Sequence, residues 1–325
     1  IKLSPTHQVL YGALLPDYTI KALAVDAAGN VYITGENSSG TFFPATAGTF
    51  SNNPIGQAFV AKISAGGDRL VYSALFVGKM GNAISVDAQG DAYVVGKVDY
   101  PGLPTTPGAI KPTYMLGATT NEDGFLLKVS ADGTSLLYGT YLGGSGADVA
   151  SAIKLSTLGE IVIAGQTASS DFVGMPAIPR GTSDAFLIRI SPDGSRILDA
   201  RTFGGDAADS VSALAPDGAG GWLLCGATTS ANFPTSSTAF QKTLLGERNG
   251  WVRRVSGDFQ PVYSTYFGGS FIDGCINITS DGSAKAYLVG VTFSADLPTT
   301  VGAFQEDTSA LPNSYFGGLG GKVYL

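Results

Sequence analysis

The sequence predicts an all-β protein: a five-bladed β-propeller of four-stranded antiparallel blades, with the closing blade split between the N- and C-termini. Three observations predict it. A β-rich hairpin signature occurs five times, and two further β-rich runs follow most copies. The piece missing from one copy is found in two halves, at opposite ends of the chain.

The hairpin comes first. The runs VYITG (31–35), AYVVG (92–96), IVIAG (161–165), WLLCG (222–226) and AYLVG (286–290) close on glycines spaced 61, 69, 61 and 64 residues apart. Before them lie ALAVD (22–26), AISVD (83–87), AIKLS (152–156), SALAP (212–216) and INITS (276–280). Turns such as DAAGN and DAQGD separate the two runs, and paired β-rich runs around a Gly/Asx turn predict a hairpin. These are strands A and B of each unit.

Strand C follows as AFVAKIS (58–64), GFLLKVS (124–130), AFLIRIS (185–191) and GWVRRVS (250–256). Strand D follows a turn such as AGGD or PDGS, as LVYSALF (70–76), LLYGTYL (136–142), ILDARTF (197–203) and PVYSTYF (261–267). The fifth C strand is split. Terminal VYL (323–325) placed before IKLS (1–4) reads VYLIKLS, which aligns with AFVAKIS, and VLYGALL (9–15) supplies the fifth D strand. The chain is thus one propeller domain over 1–325, with units at roughly 17–76, 77–142, 143–203, 204–267, and 268–325 plus 1–16. A solenoid needs capping repeats, whereas a ring closes by packing its last unit on its first. The other reading is a stretch cut from a longer array.

Composition agrees. Hydrophobic residues make up 44% and charged residues 14%, with 45 glycines and 16 prolines among many Val, Thr, Tyr and Phe. That mix suits short strands joined by tight turns. A net charge of −7 and a pI near 4.7 disfavour nucleic acid and anionic membrane as partners. No apolar run approaches the ~20 residues of a membrane span. No signal-like stretch is seen, which carries little weight if the sequence is a mature form or an excised domain. The lone His7 argues against multi-His metal sites and Ser-His-Asp catalysis. Cys225 and Cys275 both follow apolar neighbours, so buried free thiols are expected, with one bridge between neighbouring units as the alternative.

Repeated positions read first as packing. Tyr32, Tyr93 and Tyr287 alternate with Val162 and Leu223, which suits inter-blade contacts rather than an aromatic binding box. Lys2, Lys62, Lys128, Arg189 and Arg254 align in strand C. Their stems can pack while their heads reach an edge or a backbone carbonyl. Asp26, Asp87 and Asp281 belong to hairpin turns. FGGLGGKV (316–323) lacks the first glycine and the hydroxyl of a phosphate loop.

The D–A links LGGSGADVA (142–150), FGGDAADSV (203–211) and FGGSFIDGC (267–275) align Asp148, Asp209 and Asp273. Their spacing rules out a calcium β-roll, whose turns repeat every nine residues. Three such carboxylates on a ring axis suit a hard cation such as Ca2+, or a sugar hydroxyl. The competing reading is turn chemistry, with each Asp bonding nearby amides. The B–C inserts are long and emerge at the same end as these links. Their recurring Phe-Pro and Gly-Ala-Phe pieces are packing. Their unmatched tips, Tyr114, Met115, Asn121, Arg180, Arg248 and Tyr315, are the ligand candidates.

The strings YSTYFGG (263–269), AVDAAGNVYITG (24–35), NFPT (232–235) with TAFQ (238–241), and AFVAKIS resemble the bacterial SBBP β-propeller repeat family, over essentially the whole chain. The family name implies seven blades, whereas this sequence shows five. The resemblance implies a secreted or cell-surface bacterial protein, often joined to adhesive β-domains, and brings no catalytic residues.

The expected function is a non-catalytic extracellular binding or adhesion module. Its partner would be a glycan, a matrix polymer or a cell-surface protein. No cofactor is expected, with Ca2+ as the open exception. The alternatives are a glycan-active hydrolase, which needs two carboxylates ~5–10 Å apart around the scissile bond, and a structural spacer or assembly subunit that self-associates.

Overall fold

The computed structural model describes residues 1–15, 18–37, 44–51, 53, 56–115, 122–175, 180–306 and, as backbone, 322–324. The fold is an all-β, five-bladed propeller built from the predicted runs. β1 (Lys2–Leu3) and β2 (Val9–Tyr11) pair antiparallel. Four complete blades follow, each a meander of four antiparallel strands. The first is β3 (Thr19–Val25), β4 (Val31–Glu36), β5 (Ala58–Ile63) and β6 (Leu70–Phe76). The second is β7 (Met80–Val86), β8 (Ala92–Val98), β9 (Asp123–Val129) and β10 (Leu136–Leu142). The third is β11 (Asp148–Leu155), β12 (Ile161–Thr167), β13 (Asp184–Ile190) and β14 (Ile197–Phe203). The fourth is β15 (Asp209–Pro216), β16 (Trp222–Thr228), β17 (Asn249–Val255) and β18 (Pro261–Phe267). β19 (Asp273–Ser280), β20 (Ala286–Thr292) and β21 (Lys322–Tyr324) form a three-stranded sheet.

The chain divides into two compact units. One comprises Ile1–Val162 with Ile190–Ile197, the other Ile163–Arg189 with Leu198–Leu325.

The split strand keeps its register at both ends. Tyr324 lies opposite Gly290, as Phe59 lies opposite Gly35 and Trp251 opposite Gly226. Lys2 lies opposite Tyr11, as Lys62 lies opposite Tyr72 and Lys128 opposite Tyr138. Each half therefore sits where the alignment VYLIKLS/AFVAKIS puts it.

Local chemistry explains the hairpins. Asn30 N–H donates to Asp26 Oδ1 at 2.8 Å, Asp91 N–H to Asp87 Oδ1 at 2.9 Å and Ser283 N–H to Asp281 Oδ1 at 2.8 Å. The turn acids thus do the backbone work that Asx turns require. Strand A carries a bulge opposite the closing glycine in four blades, as between Ile20 and Ala22. At Gly35 and Gly96 a Cβ would strike the carbonyl of the bulged strand, so no other residue fits.

The strands bury their long side chains between blades. In the first unit Tyr32, Tyr72, Phe76, Val94, Phe125 and Leu127 share one core, with Phe76 and Phe125 edge to face at 5.6 Å. In the second, Trp251 is stacked by Phe233 at 5.1 Å and met edge-on by Phe203 at 5.5 Å. Phe233 and Phe172 come from the B–C inserts and are buried, so this part of those two inserts is packing. The Gly-Ala-Phe piece varies. Phe50 packs on Phe76, but Phe240 is 68% exposed. Tyr32 and Tyr93 are buried, whereas the aligned Tyr287 is 56% exposed.

The cysteines are not free thiols. Cys225 on β16 and Cys275 on β19 form a disulfide, with Cα atoms 5.8 Å apart. The two side chains point into one small core with Leu223, Val252 and Ile278, where neighbouring blades meet. Apolar neighbours signalled burial, but burial opposite each other is a property of the blade junction.

Candidate functional site

Asp148, Asp209 and Asp273 are the first residues of β11, β15 and β19, and all three are buried. Each receives the second amide of its own Gly-Gly loop. Gly144 N–H donates to Asp148 Oδ2 at 2.8 Å, Gly205 N–H to Asp209 Oδ2 at 2.7 Å and Gly269 N–H to Asp273 Oδ2 at 2.7 Å. Hydroxyls of the neighbouring B strand complete the set. Thr228 Oγ1 donates to Asp209 Oδ1 and Ser230 Oγ to Asp209 Oδ2 at 2.9 Å. Thr292 and Ser294 repeat this on Asp273. The aspartate amides are equally engaged. Asp209 N–H donates to Ser183 O at 2.9 Å and Asp273 N–H to Arg248 O at 2.8 Å. This is the turn-chemistry arrangement, with each aspartate pinning a loop to the C strand of the preceding blade. Among the described residues, no three His, Cys, Asp or Glu side chains gather into a metal-holding group.

Across each junction stands a second polar side chain that the repeat pattern did not single out. It is the first residue of the C strand: Asp123, Asp184 or Asn249. Asn249 Nδ2 donates to Asp273 Oδ2 at 3.2 Å, and Gln241 Nε2 donates to Asn249 Oδ1 at 3.0 Å. Asp123 takes Lys111 Nζ at 3.0 Å. Lys111 and Gln241 are equivalent, since their amides donate to Thr140 and Thr265 Oγ1 respectively. Among the described residues no cation bonds Asp184 in this way, although the charge of Arg180 lies near it. Its Oδ2 accepts from Arg180 N–H at 3.1 Å, while among the described residues its buried Oδ1 has no hydrogen-bond partner. A Cβ on Gly204 would collide with both Asp184 Oδ1 and Asp209 Oδ2, so these oxygens face each other across the space of one methyl group. Burial pushes both carboxyls above the usual carboxylate range. Amide and hydroxyl donors oppose this, and the neighbouring charges of Asp206 and Asp184 reinforce it.

The predicted tips differ in placement. Arg180 and Arg248 have exposed side chains, while their backbones anchor Asp184 and Asp273. Tyr114 is half-buried, its ring 5.7 Å from that of Tyr141, and burial first, then nearby acids, push its hydroxyl up to about 12. Met115 is exposed. Asn121 and Tyr315 lie outside the described residues. At the base of the second insert, Glu122 receives Lys79 Nζ at 2.8 Å and Lys97 Nζ at 2.9 Å.

The aligned cations are structural. Lys62 Nζ donates to Ala131 O at 3.0 Å and Arg189 Nη1 to Gly257 O at 3.0 Å. Arg254 Nε meets Asp217 Oδ2 at 2.8 Å. Lys62 and Lys128 also lie 4.9 Å over the rings of Tyr32 and Tyr93.

No family model and no curated protein matches the chain. Among solved structures it is similar to hydrazine synthase of Kuenenia stuttgartiensis, at 11% identity and a TM-score of 0.47, covering 84% of this chain and 63% of that one. It is also similar to the Dos1 propeller, at 10% identity and a TM-score of 0.42, covering 85% and 66%. A third is CoXyl43, a GH43 β-xylosidase/α-arabinofuranosidase from a compost microbial metagenome. There the identity is 11% and the TM-score 0.40, covering 85% and 84%. The chain spans less than two thirds of the length of the first two structures.

Proposed function

We propose that this chain is a non-catalytic extracellular binding or adhesion module, with its ligand surface on the B–C inserts and a glycan or a cell-surface or matrix protein as partner. The observation behind this is the division of labour along one insert, residues 233–249. Phe233 and Asn249 face inward, against Trp251 and Asp273. Phe240, although part of the recurring Gly-Ala-Phe piece, and the tip residue Arg248 face solvent. A ring face and a guanidinium held on a rigid scaffold suit a sugar ring or an acidic surface group.

The hydrolase alternative draws no support from the acids. Asp184 and Asp209, which face each other, are both buried away from any substrate. The Cys225–Cys275 bridge supports an oxidising compartment, in keeping with secretion or surface display. The resemblance to SBBP repeats points the same way.

A glycan and matrix-protein array, with and without Ca2+, tests this reading. Binding by the native chain that is weakened in the double variant Phe240→Ala/Arg248→Ala supports it. Binding unchanged in that variant removes this surface. Release of reducing ends from any arrayed glycan would instead favour the hydrolase.

A further inference from the structure

One blade junction departs from the repeat at four positions, and the departures meet. On β17, Arg253 stands where β5, β9 and β13 have the buried aliphatics Ala61, Leu127 and Ile188. On β14, Thr202 stands where β6, β10 and β18 have the bulky buried residues Leu75, Tyr141 and Tyr266. Also on β14, Asp199 replaces the tyrosine found as Tyr72, Tyr138 and Tyr263. In the turn before β18, Phe259 replaces the glycine found as Gly67, Gly133 and Gly194, and it retains their left-handed backbone with φ 62°.

The aspartate and phenylalanine changes compensate each other. At regular junctions the D-strand tyrosine presses on the turn glycine, as Tyr72 does on Gly133 and Tyr138 on Gly194. Here the tyrosine is gone and Phe259 fills the space from the other side, buried. The other two changes do not compensate. Thr202 gives up most of an aromatic ring's volume, and a cleft of about 100 Å3 opens, lined by Thr202, Phe203, Arg201, Arg253, Phe259 and Gln260 among others.

Arg253 points into that cleft. It is only 9% exposed, its Cζ lies 4.5 Å over the Phe203 ring, and among the described residues no hydrogen bond or ion pair reaches its guanidinium. Burial alone lowers its guanidinium to about 10. A cation–π contact contributes ~0.5–2 kcal/mol, less than the several kcal/mol that burying an unpaired ion costs. Leucine, which the aligned β9 position carries, would avoid that cost. The charged residues that line the cleft are Arg201 and Arg253, both cations, with Arg201 Nη1 held by Asp199 Oδ1 at 2.5 Å. This lies in a chain whose net charge is −7.

We propose that this cleft is a carboxylate-binding site, with Arg253 as its bidentate cation. The ring beneath the guanidinium covers one face and leaves the planar edge, whose paired N–H groups match a carboxylate fork. Thr202 and Gln260 line the same space and carry a hydroxyl and an amide able to donate. The volume suits a small carboxylate or the acidic side chain of a partner protein. The site is separate from the insert surface and does not depend on it.

The test follows the Arg253 Nε–H resonance in the native chain during titration with sodium acetate, sodium phosphate or sodium chloride at matched ionic strength. A saturable shift with acetate is expected, with little change from chloride. Acetate should also raise the thermal midpoint of the native chain but not that of Arg253→Leu, and in chloride that variant should melt above the native chain. No saturable shift, a shift with phosphate alone, or equal acetate stabilisation of both proteins would overturn the assignment. The resonance experiment needs no variant, so misfolding of Arg253→Leu would not blunt it.

Discussion

Lys2 Nζ donates to the carbonyl oxygen of Ala65 at 3.1 Å, as Lys62 Nζ does to Ala131 at 3.0 Å. The pairs are equivalent: a C-strand cation on one blade reaches the C–D turn of the next. Tyr11 confirms the match, since it presses on Gly67 as Tyr72 presses on Gly133. The first eleven residues therefore make the contacts of an outer half-blade, although they precede the first hairpin in sequence.

Asp184 and Asp209 should share a proton more readily than exposed carboxyls do. The amide of Asn249 takes the proton's place beside Asp273, and Lys111 offsets the second carboxylate beside Asp148. One negative charge then remains at each junction. Burial raises both Asp184 and Asp209 from the ordinary 3.8, so the native chain binds protons more tightly than the unfolded one. The pair's contribution to stability is complete below that ordinary value and is lost as pH rises through the native values. Asp184→Asn should supply the missing donor at every pH. It should raise stability near neutrality by ~1–3 kcal/mol and flatten its pH dependence, measured by urea unfolding across pH.

The three repeated aspartates should matter for stability. Asp209→Ala or Asp273→Ala strands a loop amide and two hydroxyls, and should cost ~2–4 kcal/mol in denaturant unfolding. All three are buried, so the loss should fall on folding rather than on a surface site.

Reducing Cys225–Cys275 releases a loop with a sequence separation of 50. The chain-entropy relation places the loss at about 4 kcal/mol. Thermal unfolding with and without reductant should show the drop, and a Cys225→Ser/Cys275→Ser double variant should reproduce it without responding to reductant.

The exchange between Asp199 and Phe259 predicts strong coupling. Phe259→Gly alone opens a cavity and should cost ~3 kcal/mol or more. Asp199→Tyr alone overfills the space. The double variant Asp199→Tyr/Phe259→Gly rebuilds the contact of Tyr138 with Gly194, so its cost should fall below the sum of the singles by ~1 kcal/mol or more. Additive costs in a double-mutant cycle would show that the two positions do not share that space.

The blades were legible because their signals are local. A Gly/Asx turn, a β-rich run and a closing glycine lie within a dozen residues of one another, and the repeat supplied five readings of each. The split strand was legible because two fragments, VYL and IKLS, complete a repeated pattern. The junction chemistry was harder to read. Asp184 aligns with Gln57, Asp123 and Asn249, and nothing along the chain shows that it faces Asp209. Arg253 did leave a trace, as the first arginine of WVRR where the other copies read FVAK, FLLK and FLIR. A search for what repeats passes over such a departure, and here the departures form the cleft.

The central claim is that the N-terminal segment belongs to a blade and is bound by repeat contacts. Thermal unfolding of a chain lacking residues 1–11 tests it most directly. Losing the Lys2–Ala65 bond and the Tyr11–Gly67 contact should lower the midpoint of the main transition by about 5 °C or more. An unchanged midpoint would show that the segment is an appendage, and would contradict the split blade.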